Sequence, residues 1–151
     1  MTELEELRIE NVDPWDYVND WLYEAEVTDG LPVCPPTPRR VRAMLAGLGG
    51  GPDDVVGTVA PREAPATLYR IAMCMAMAGC QPEYGPVVLA GLRAVVEPEF
   101  NLHGIQGTTG SVTPLFIVNG PIATELEINC GSNALGSGCR ANATIGRALR
   151  L

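Results

Sequence analysis

The stretch ATLYRIAMCMAMAGCQPEYGPVVLAGLRAVV, residues 66–96, decides the fold of this chain. Its first part, residues 66–78, is apolar nearly all round, a pattern that is typical of a buried helix. Gly79 ends that helix, and the Pro82-Glu83 pair begins a second one that runs to Val96. Because only a tight turn separates the two helices, the sequence predicts a buried helical hairpin.

Shorter elements are predicted on either side of the hairpin. Helical spacing together with proline and glycine positions predicts a helix from Thr37 to Gly49, a short helix over about 123–126 and a last helix from Arg140. Enrichment in β-branched and apolar residues predicts a short strand over 55–60 and a buried strand over 115–118. Residues 100–106 are expected to be extended. The expected fold class is therefore α/β or α+β, with a small sheet around the buried hairpin. We expect a partner subunit to complete this fold.

The net charge of −8 is concentrated at the amino terminus. Residues 1–27 hold nine acidic residues against one Arg, whereas residues 28–151 hold nine of each sign. The apolar side chains of the acidic segment follow helical spacing, at Trp15, Val18, Trp21 and Leu22. The chain thus divides into an acidic leader, residues 1–28, and a single domain, residues 29–151. The leader either packs on its own domain or clasps a partner subunit.

Composition argues against several classes of protein. No apolar run reaches the roughly 18–20 residues that a membrane-spanning helix needs, and no signal peptide is evident, so a cytoplasmic protein is expected. A pI near 4.5 without a basic patch argues against nucleic-acid binding. All ten basic residues are Arg, which excludes a Schiff-base lysine and a P-loop lysine from this chain.

The five cysteines are expected to be reduced thiols, because no export signal accompanies them. With one histidine and no CxxC pair, a complete zinc site from this chain alone is not expected, and no cofactor motif is evident. A metal site completed by a partner stays open, and its thiols would be Cys80, Cys130 and Cys139.

The strongest candidate for a functional site is the polar, glycine-rich loop that precedes the last helix. Cys130 has small and polar neighbours, and a nearby Arg or helix amide would lower its pKa, so it is the expected nucleophile. His103 is the only imidazole and the expected proton carrier. Side chains expected to bind substrate are Asn133, Arg140, Asn142, Asn119, Thr108 and Thr109. Further candidates are Cys80 and Glu83 at the hairpin turn and Cys139 before the last helix.

Several blocks of this sequence, in register, resemble poorly characterised bacterial proteins associated with the UGSC (seleno)protein family. The blocks are Asp29–Val33, Pro35–Thr37, Met77–Tyr84, Pro86–Ala90, Phe100–Gly104, Ile117–Ile122 and Arg140–Ala148. The resembling proteins are about twice as long, which implies that this chain is the amino-terminal half of a split unit. They also favour Trp where this chain has Cys139, so this thiol is either a specialisation for the chemistry of this chain or a neutral replacement, and the difference weakens a transfer of activity from the resemblance.

Taken together, these features predict one subunit of a heteromeric enzyme that acts on a small organic molecule. Thiol, imidazole and amide groups without a cofactor fit lyase-like or hydratase-like addition and elimination, and thiol redox chemistry is the neighbouring possibility. The alternative is a non-catalytic scaffold or binding subunit in which the thiols are merely buried.

Overall fold

Helix α3, Leu68–Ala78, lies at the centre of the fold in the computed structural model, which describes residues 13–151. Ala72 and Met75 have no exposed surface. The hydroxyl of Thr67 accepts a hydrogen bond from the Arg70 amide at the start of the helix, and Gly79 ends it in the left-handed region, at φ 84°. The predicted buried helix that ends at Gly79 is confirmed.

The second arm of the hairpin begins later than predicted. Pro82–Tyr84 forms a single 3₁₀ turn, and helix α4 then runs over Gly85–Val96. No side chain caps the 3₁₀ turn, and the Tyr84 amide donates to the carbonyl of Gln81. The chain therefore turns the corner with backbone hydrogen bonds alone before the regular helix starts.

The remaining elements surround this hairpin. They are helix α1 (Pro14–Glu24), helix α2 (Pro38–Leu48), strands β1 (Val55–Val59) and β2 (Ala64–Thr67), and helices α5 (Leu102–Gly107), α6 (Pro121–Glu125) and α7 (Arg140–Arg150). Helices α2 and α7 pack on α3, while α4 packs on both α7 and β1. Over residues 13–151 this is an α+β fold with one two-stranded antiparallel sheet, in which Val59 pairs with Ala64.

Helix α2 crosses the hairpin corner at very short range. A Cβ atom built on Gly47 would lie 2.1 Å from the carbonyl oxygen of Pro82, and one built on Gly85 would lie 2.5 Å from the carbonyl oxygen of Gly47. Only glycine fits at either position without a backbone shift. These two glycines set how closely α2 approaches the corner.

The part of the acidic leader inside the described residues packs on the domain. Asp13 caps α1 by accepting from the Trp15 amide at 2.8 Å. Leu22 is buried against Val33 and Met77, whereas Trp15 and Trp21 remain 45% and 47% exposed. One edge of the apolar stripe of the leader therefore packs on the domain. The part of the leader before residue 13 lies outside the described residues.

Two sequence predictions are wrong at the level of local structure. The segment expected to be extended over residues 100–106 is a 3₁₀ turn, Pro98–Phe100, followed by α5. Asn101 causes this, since it adopts φ 55° and its side chain accepts from the Gly104 amide, which starts a helix. Residues 115–118 belong to no strand of the described chain, and two of their four side chains are exposed.

None of the helices within residues 13–151 is both long enough and apolar enough to span a membrane.

Candidate functional site

Helix α7 carries the candidate site at its amino-terminal end. Cys139 occupies the N-cap position in extended backbone, at φ −96° and ψ 116°, directly before Arg140. The Nε and Nη2 atoms of Arg140 both donate to the carbonyl of Gly79, at 3.1 and 2.9 Å. Since Gly79 ends α3, this contact fixes the start of α7 on the corner of the helical hairpin.

The side-chain amide of Asn142 holds the loop that precedes α7. Its Nδ2 donates to the carbonyls of Asn129, at 2.8 Å, and Ala134, at 3.0 Å. Its Oδ1 accepts from the Asn129 amide and from the Cys139 thiol, both at 2.9 Å. The expectation that Asn142 binds substrate stays a prediction, and the structure gives this amide a positioning role.

A polar cleft of about 500 Å³ lies between this loop and the hairpin corner. The lining residues with polar or ionisable side chains are Tyr84, Glu127, Asn129, Ser132, Asn133, Ser137, Cys139 and Arg140. Asn133 takes a left-handed conformation, φ 63°, and donates from Nδ2 to the carbonyl of Ser137 at 2.7 Å. The cleft therefore combines a thiol, a phenol, a carboxylate and a guanidinium group within one cavity.

The Cys139 thiol is a nucleophile on the wall of this cleft, and its pKa is lowered. Hydrogen bonds from the backbone at Asn142, and then at Asn129 and Ala141, lower the pKa of Cys139. Partial burial and the charge of Glu127 oppose that shift. Backbone amides at a helix start stabilise a thiolate more than a thiol, which accounts for the direction of this shift.

Tyr84 brings a second ionisable group to the same cleft. Tyr84 is buried, with 5% of its surface exposed. Burial raises the pKa of its phenol, and the nearby charges of Cys139 and Glu127 raise it further, whereas Arg140 lowers it. A phenol that stays protonated beside a thiol with a lowered pKa is a proton donor next to a nucleophile.

The structure brings together only some of the residues that the sequence singled out. Asn133, Arg140 and Cys139 share the polar cleft, but Cys130 is exposed in the loop and does not line it. His103 is exposed on α5 and is also not among the lining residues. The roles expected for Cys130 as nucleophile and for His103 as proton carrier stay predictions, and no hydrogen bond within residues 13–151 joins the two side chains.

The other predicted site residues lie at scattered positions. Thr108, Thr109 and Asn119 are exposed outside the cleft, and the Thr108 hydroxyl accepts from the Gly110 amide at 3.1 Å. Glu83 is exposed in the 3₁₀ turn. Cys80 is buried, its thiol donates to the Thr144 carbonyl at 3.3 Å, and burial raises its pKa to about 11. Cys80 is therefore a packed thiol rather than an activated one.

Sequence reasoning missed Tyr84 and Glu127 as members of the site. Tyr84 follows the hairpin turn, and only the fold shows that this turn faces the loop before α7. Glu127 takes a left-handed conformation, φ 53°, and its carbonyl accepts from the Cys139 thiol at 3.4 Å. A non-glycine residue at positive φ is a signal that exists only in the structure.

Among residues 13–151, no cluster of three or more His, Cys, Asp or Glu side chains is arranged to hold a metal ion. No protein-family model, curated protein or solved structure matches this chain. The assignment of a function therefore rests on the polar cleft itself.

Proposed function

We propose that this chain is a subunit of a thiol-dependent enzyme that acts on a small organic molecule, with Cys139 as its nucleophile. The observation that carries the proposal is the position of the Cys139 thiol at the N-cap of α7, where backbone hydrogen bonds lower its pKa. This replaces Cys130, which is exposed and lies outside the cleft. Free thiols fit a reducing cytoplasmic location, which is part of the same proposal.

The chemistry that suits this arrangement is reversible addition to an electrophilic carbon. The thiolate of Cys139 attacks a carbonyl carbon or the terminal carbon of a conjugated alkene, a C–S bond forms, and the π electrons move to the substrate oxygen. The Tyr84 phenol donates its proton to that oxygen. In the reverse direction the substrate oxygen returns its proton to the phenolate, the C=O or C=C bond forms again, and the C–S bond breaks with the sulfur leaving as the Cys139 thiolate.

Three other groups have supporting roles in the proposal. Asn133 and the Nη1 atom of Arg140 face a bound molecule as hydrogen-bond donors, since both residues line the cleft. Glu127 accepts a proton from an incoming water and returns it to the hydroxyl group that leaves in the reverse direction. Thiol redox chemistry is the runner-up, in which Cys139 attacks a sulfur of a small disulfide and the other sulfur leaves as a thiolate.

The test is site-resolved alkylation of the whole protein with iodoacetamide over a range of pH, read by peptide mass spectrometry. We expect Cys139 to be labelled with an apparent pKa below the ordinary value of about 8.5, and a small conjugated aldehyde to protect it. Cys130→Ser is the matched control, because it removes an exposed thiol of the same loop. If glutathione disulfide protects Cys139 better than the conjugated aldehyde does, the result favours thiol redox chemistry over addition to carbon.

The result that contradicts the proposal is slow labelling of Cys139 with the pH dependence of a free thiol. The alternative function, a non-catalytic scaffold or binding subunit, then becomes the better assignment. Its supporting observation is the exposed apolar surface at Leu115, Ile117 and Leu135, which are 70%, 77% and 90% exposed.

A further inference from the structure

The polar cleft contains a cation that is held in place without an anionic partner. The Nε and Nη2 atoms of Arg140 donate to the carbonyl of Gly79, at 3.1 and 2.9 Å. A carbonyl is neutral, so these hydrogen bonds orient the guanidinium group and leave its charge uncompensated. Among the described residues the one ion pair joins Arg147 to Asp29. The cleft therefore presents an oriented positive charge that no carboxylate of the described chain neutralises.

The free end of the Arg140 side chain suits a carboxylate. A guanidinium group has five N–H donors, and the Gly79 carbonyl takes one from Nε and one from Nη2. The other N–H of Nη2 and both of Nη1 have no acceptor within residues 13–151. The edge between Nη1 and Nη2 can therefore donate two parallel hydrogen bonds to the two oxygens of one carboxylate. Because Gly79 ends α3, the anchor of this side chain belongs to the packed hairpin.

The charges of the cleft give a bound anion a direction. Burial raises the pKa of Tyr84, and Arg140 is the charge that counts most against it. Backbone hydrogen bonds lower the pKa of Cys139, and the charge of Glu127 opposes them. The positive charge thus acts mainly at the phenol, and the negative charge acts at the thiol. An anionic group is drawn toward Tyr84 and Arg140, which leaves the rest of the molecule facing Cys139.

The net charge of −8 does not decide the local field. The described part of the acidic leader packs through Leu22 in a cluster that Leu151 joins, after the carboxyl end of α7. Cys139 lies at the other end of this helix, and 11 residues at about 1.5 Å each separate the two ends by roughly 16 Å. Exposed charges more than about 8 Å apart are largely screened at physiological ionic strength. Arg140 and Glu127, which line the cleft, therefore dominate its field.

We propose that the substrate of this site is a small conjugated carboxylic acid whose carboxylate binds the free end of the Arg140 guanidinium group. The inference rests on the proposed thiol chemistry at Cys139 and names the class of molecule on which that chemistry acts. A conjugated carboxylate is a weak electrophile because it already carries a negative charge. A cation bound to the carboxylate, with a proton donor beside it, removes that obstacle.

The addition then runs between two groups of the cleft. The Cys139 thiolate attacks the β-carbon, a C–S bond forms, and the π electrons of the C=C bond move onto the carboxylate. The Tyr84 phenol donates its proton to one carboxylate oxygen, while Arg140 stabilises the negative charge that collects there. In the reverse direction this oxygen returns the proton to the phenolate, the C=C bond forms again, and the sulfur leaves as a thiolate.

The test compares iodoacetate with iodoacetamide on the full chain, thiol by thiol, by peptide mass spectrometry. The two reagents share a leaving group and nearly the same size but differ in charge, so the ratio of their rates at one thiol does not depend on its thiolate fraction. We expect the iodoacetate-to-iodoacetamide ratio at Cys139 to exceed that at Cys130, which is exposed outside the cleft, by roughly threefold to tenfold. The excess should disappear in about 1 M salt, where the screening length is about 3 Å.

Variants identify the charge that causes the excess. Arg140→Gln should lower the ratio at Cys139 to the value at Cys130, whereas Arg140→Lys, which keeps the charge, should retain most of the excess. Glu127→Gln should raise the ratio further, because it removes the opposing charge. Arg93→Gln is the matched control, since Arg93 is exposed on α4 outside the cleft, and it should change nothing. Crotonate should also protect Cys139 from iodoacetamide better than its neutral amide does.

A ratio at Cys139 equal to that at Cys130 would overturn the inference. If Cys139 then still shows a lowered pKa and protection by a conjugated aldehyde, the proposed function stands without this substrate class. Labelling of Cys139 with the pH dependence of an ordinary thiol contradicts the proposed function instead, and this inference with it. An excess that survives both Arg140→Gln and about 1 M salt shows that Arg140 does not select the anion. If Arg140→Gln fails to fold, the salt dependence of the wild type and Glu127→Gln still decide the question.

Discussion

Truncation of Asn142 to alanine should destabilise the loop that carries the candidate site. Three hydrogen bonds between this side chain and backbone groups of Asn129 and Ala134 disappear. Each is worth about 0.5–1.5 kcal/mol, and water replaces part of them at this half-buried position, so the net loss should be about 2 kcal/mol. For a chain of this size that corresponds to a melting temperature lower by roughly 4–8 °C.

Urea denaturation followed by circular dichroism measures this loss, and Asn119→Ala is the matched control. Asn119 is exposed, so its truncation should change the free energy of unfolding by less than about 0.5 kcal/mol. Asn142→Asp adds a second readout, because a carboxylate placed 2.9 Å from the Cys139 sulfur should raise the pKa of that thiol. Equal stability of Asn142→Ala and Asn119→Ala would refute the positioning role of Asn142.

Three further perturbations follow from the packing and the charges. Asp29→Asn removes an ion pair with Arg147 at 2.8 Å and should lower the free energy of unfolding by about 0.5–1 kcal/mol at pH 7. Because Arg147 lowers the pKa of Asp29, this loss should vanish as the pH falls through that lowered pKa. Urea denaturation that gives the same difference between variant and wild type at pH 7 and at acidic pH would contradict this. Gly47→Ala should destabilise the fold by about 1–3 kcal/mol, since its Cβ would lie 2.1 Å from a backbone carbonyl oxygen. Gly146→Ala has open space on α7 and should stabilise the fold by up to about 1 kcal/mol. Thermal melts in which both variants shift the melting temperature in the same direction would be inconsistent with the close helix contact. Cys80, with a pKa near 11 and little exposure, should react with iodoacetamide only after denaturant is added, and labelling in native buffer would show that the hairpin corner opens.

The helical hairpin could be predicted because its signals are local. A run of apolar residues, a glycine at the C-cap and a proline at the next start act within a few residues, and the structure confirms α3 and its end at Gly79. The start of α7 at Arg140 was predicted for the same reason. The predicted α+β organisation is likewise present in the described residues.

The segments that were predicted wrongly depend on single residues or on partners far away in sequence. Asn101 at φ 55° converts an expected extended segment into the start of α5, and the propensity of its neighbours gives no warning of this. Residues 115–118 have the composition of a buried strand, but the described chain supplies no neighbouring strand. Sequence composition indicates the tendency of a segment to form a strand, but it does not show whether another strand lies beside it.

The choice between the two cysteines of the loop shows why a site is harder to predict than a helix. Cys130 and Cys139 have similar small and polar neighbours, and although the sequence places Cys139 directly before the last helix, it does not show which groups surround either thiol. The structure separates them through Arg140, whose guanidinium group binds the Gly79 carbonyl and so fixes the N-cap position beside the hairpin corner. Cys139 then lies among backbone amides that lower its pKa, while Cys130 stays on the exposed side of the loop. If this contact between residues that are far apart in the chain holds Cys139 among those amides, an Arg140→Ala variant should show a raised Cys139 pKa in the alkylation assay, and an unchanged pKa would contradict that dependence.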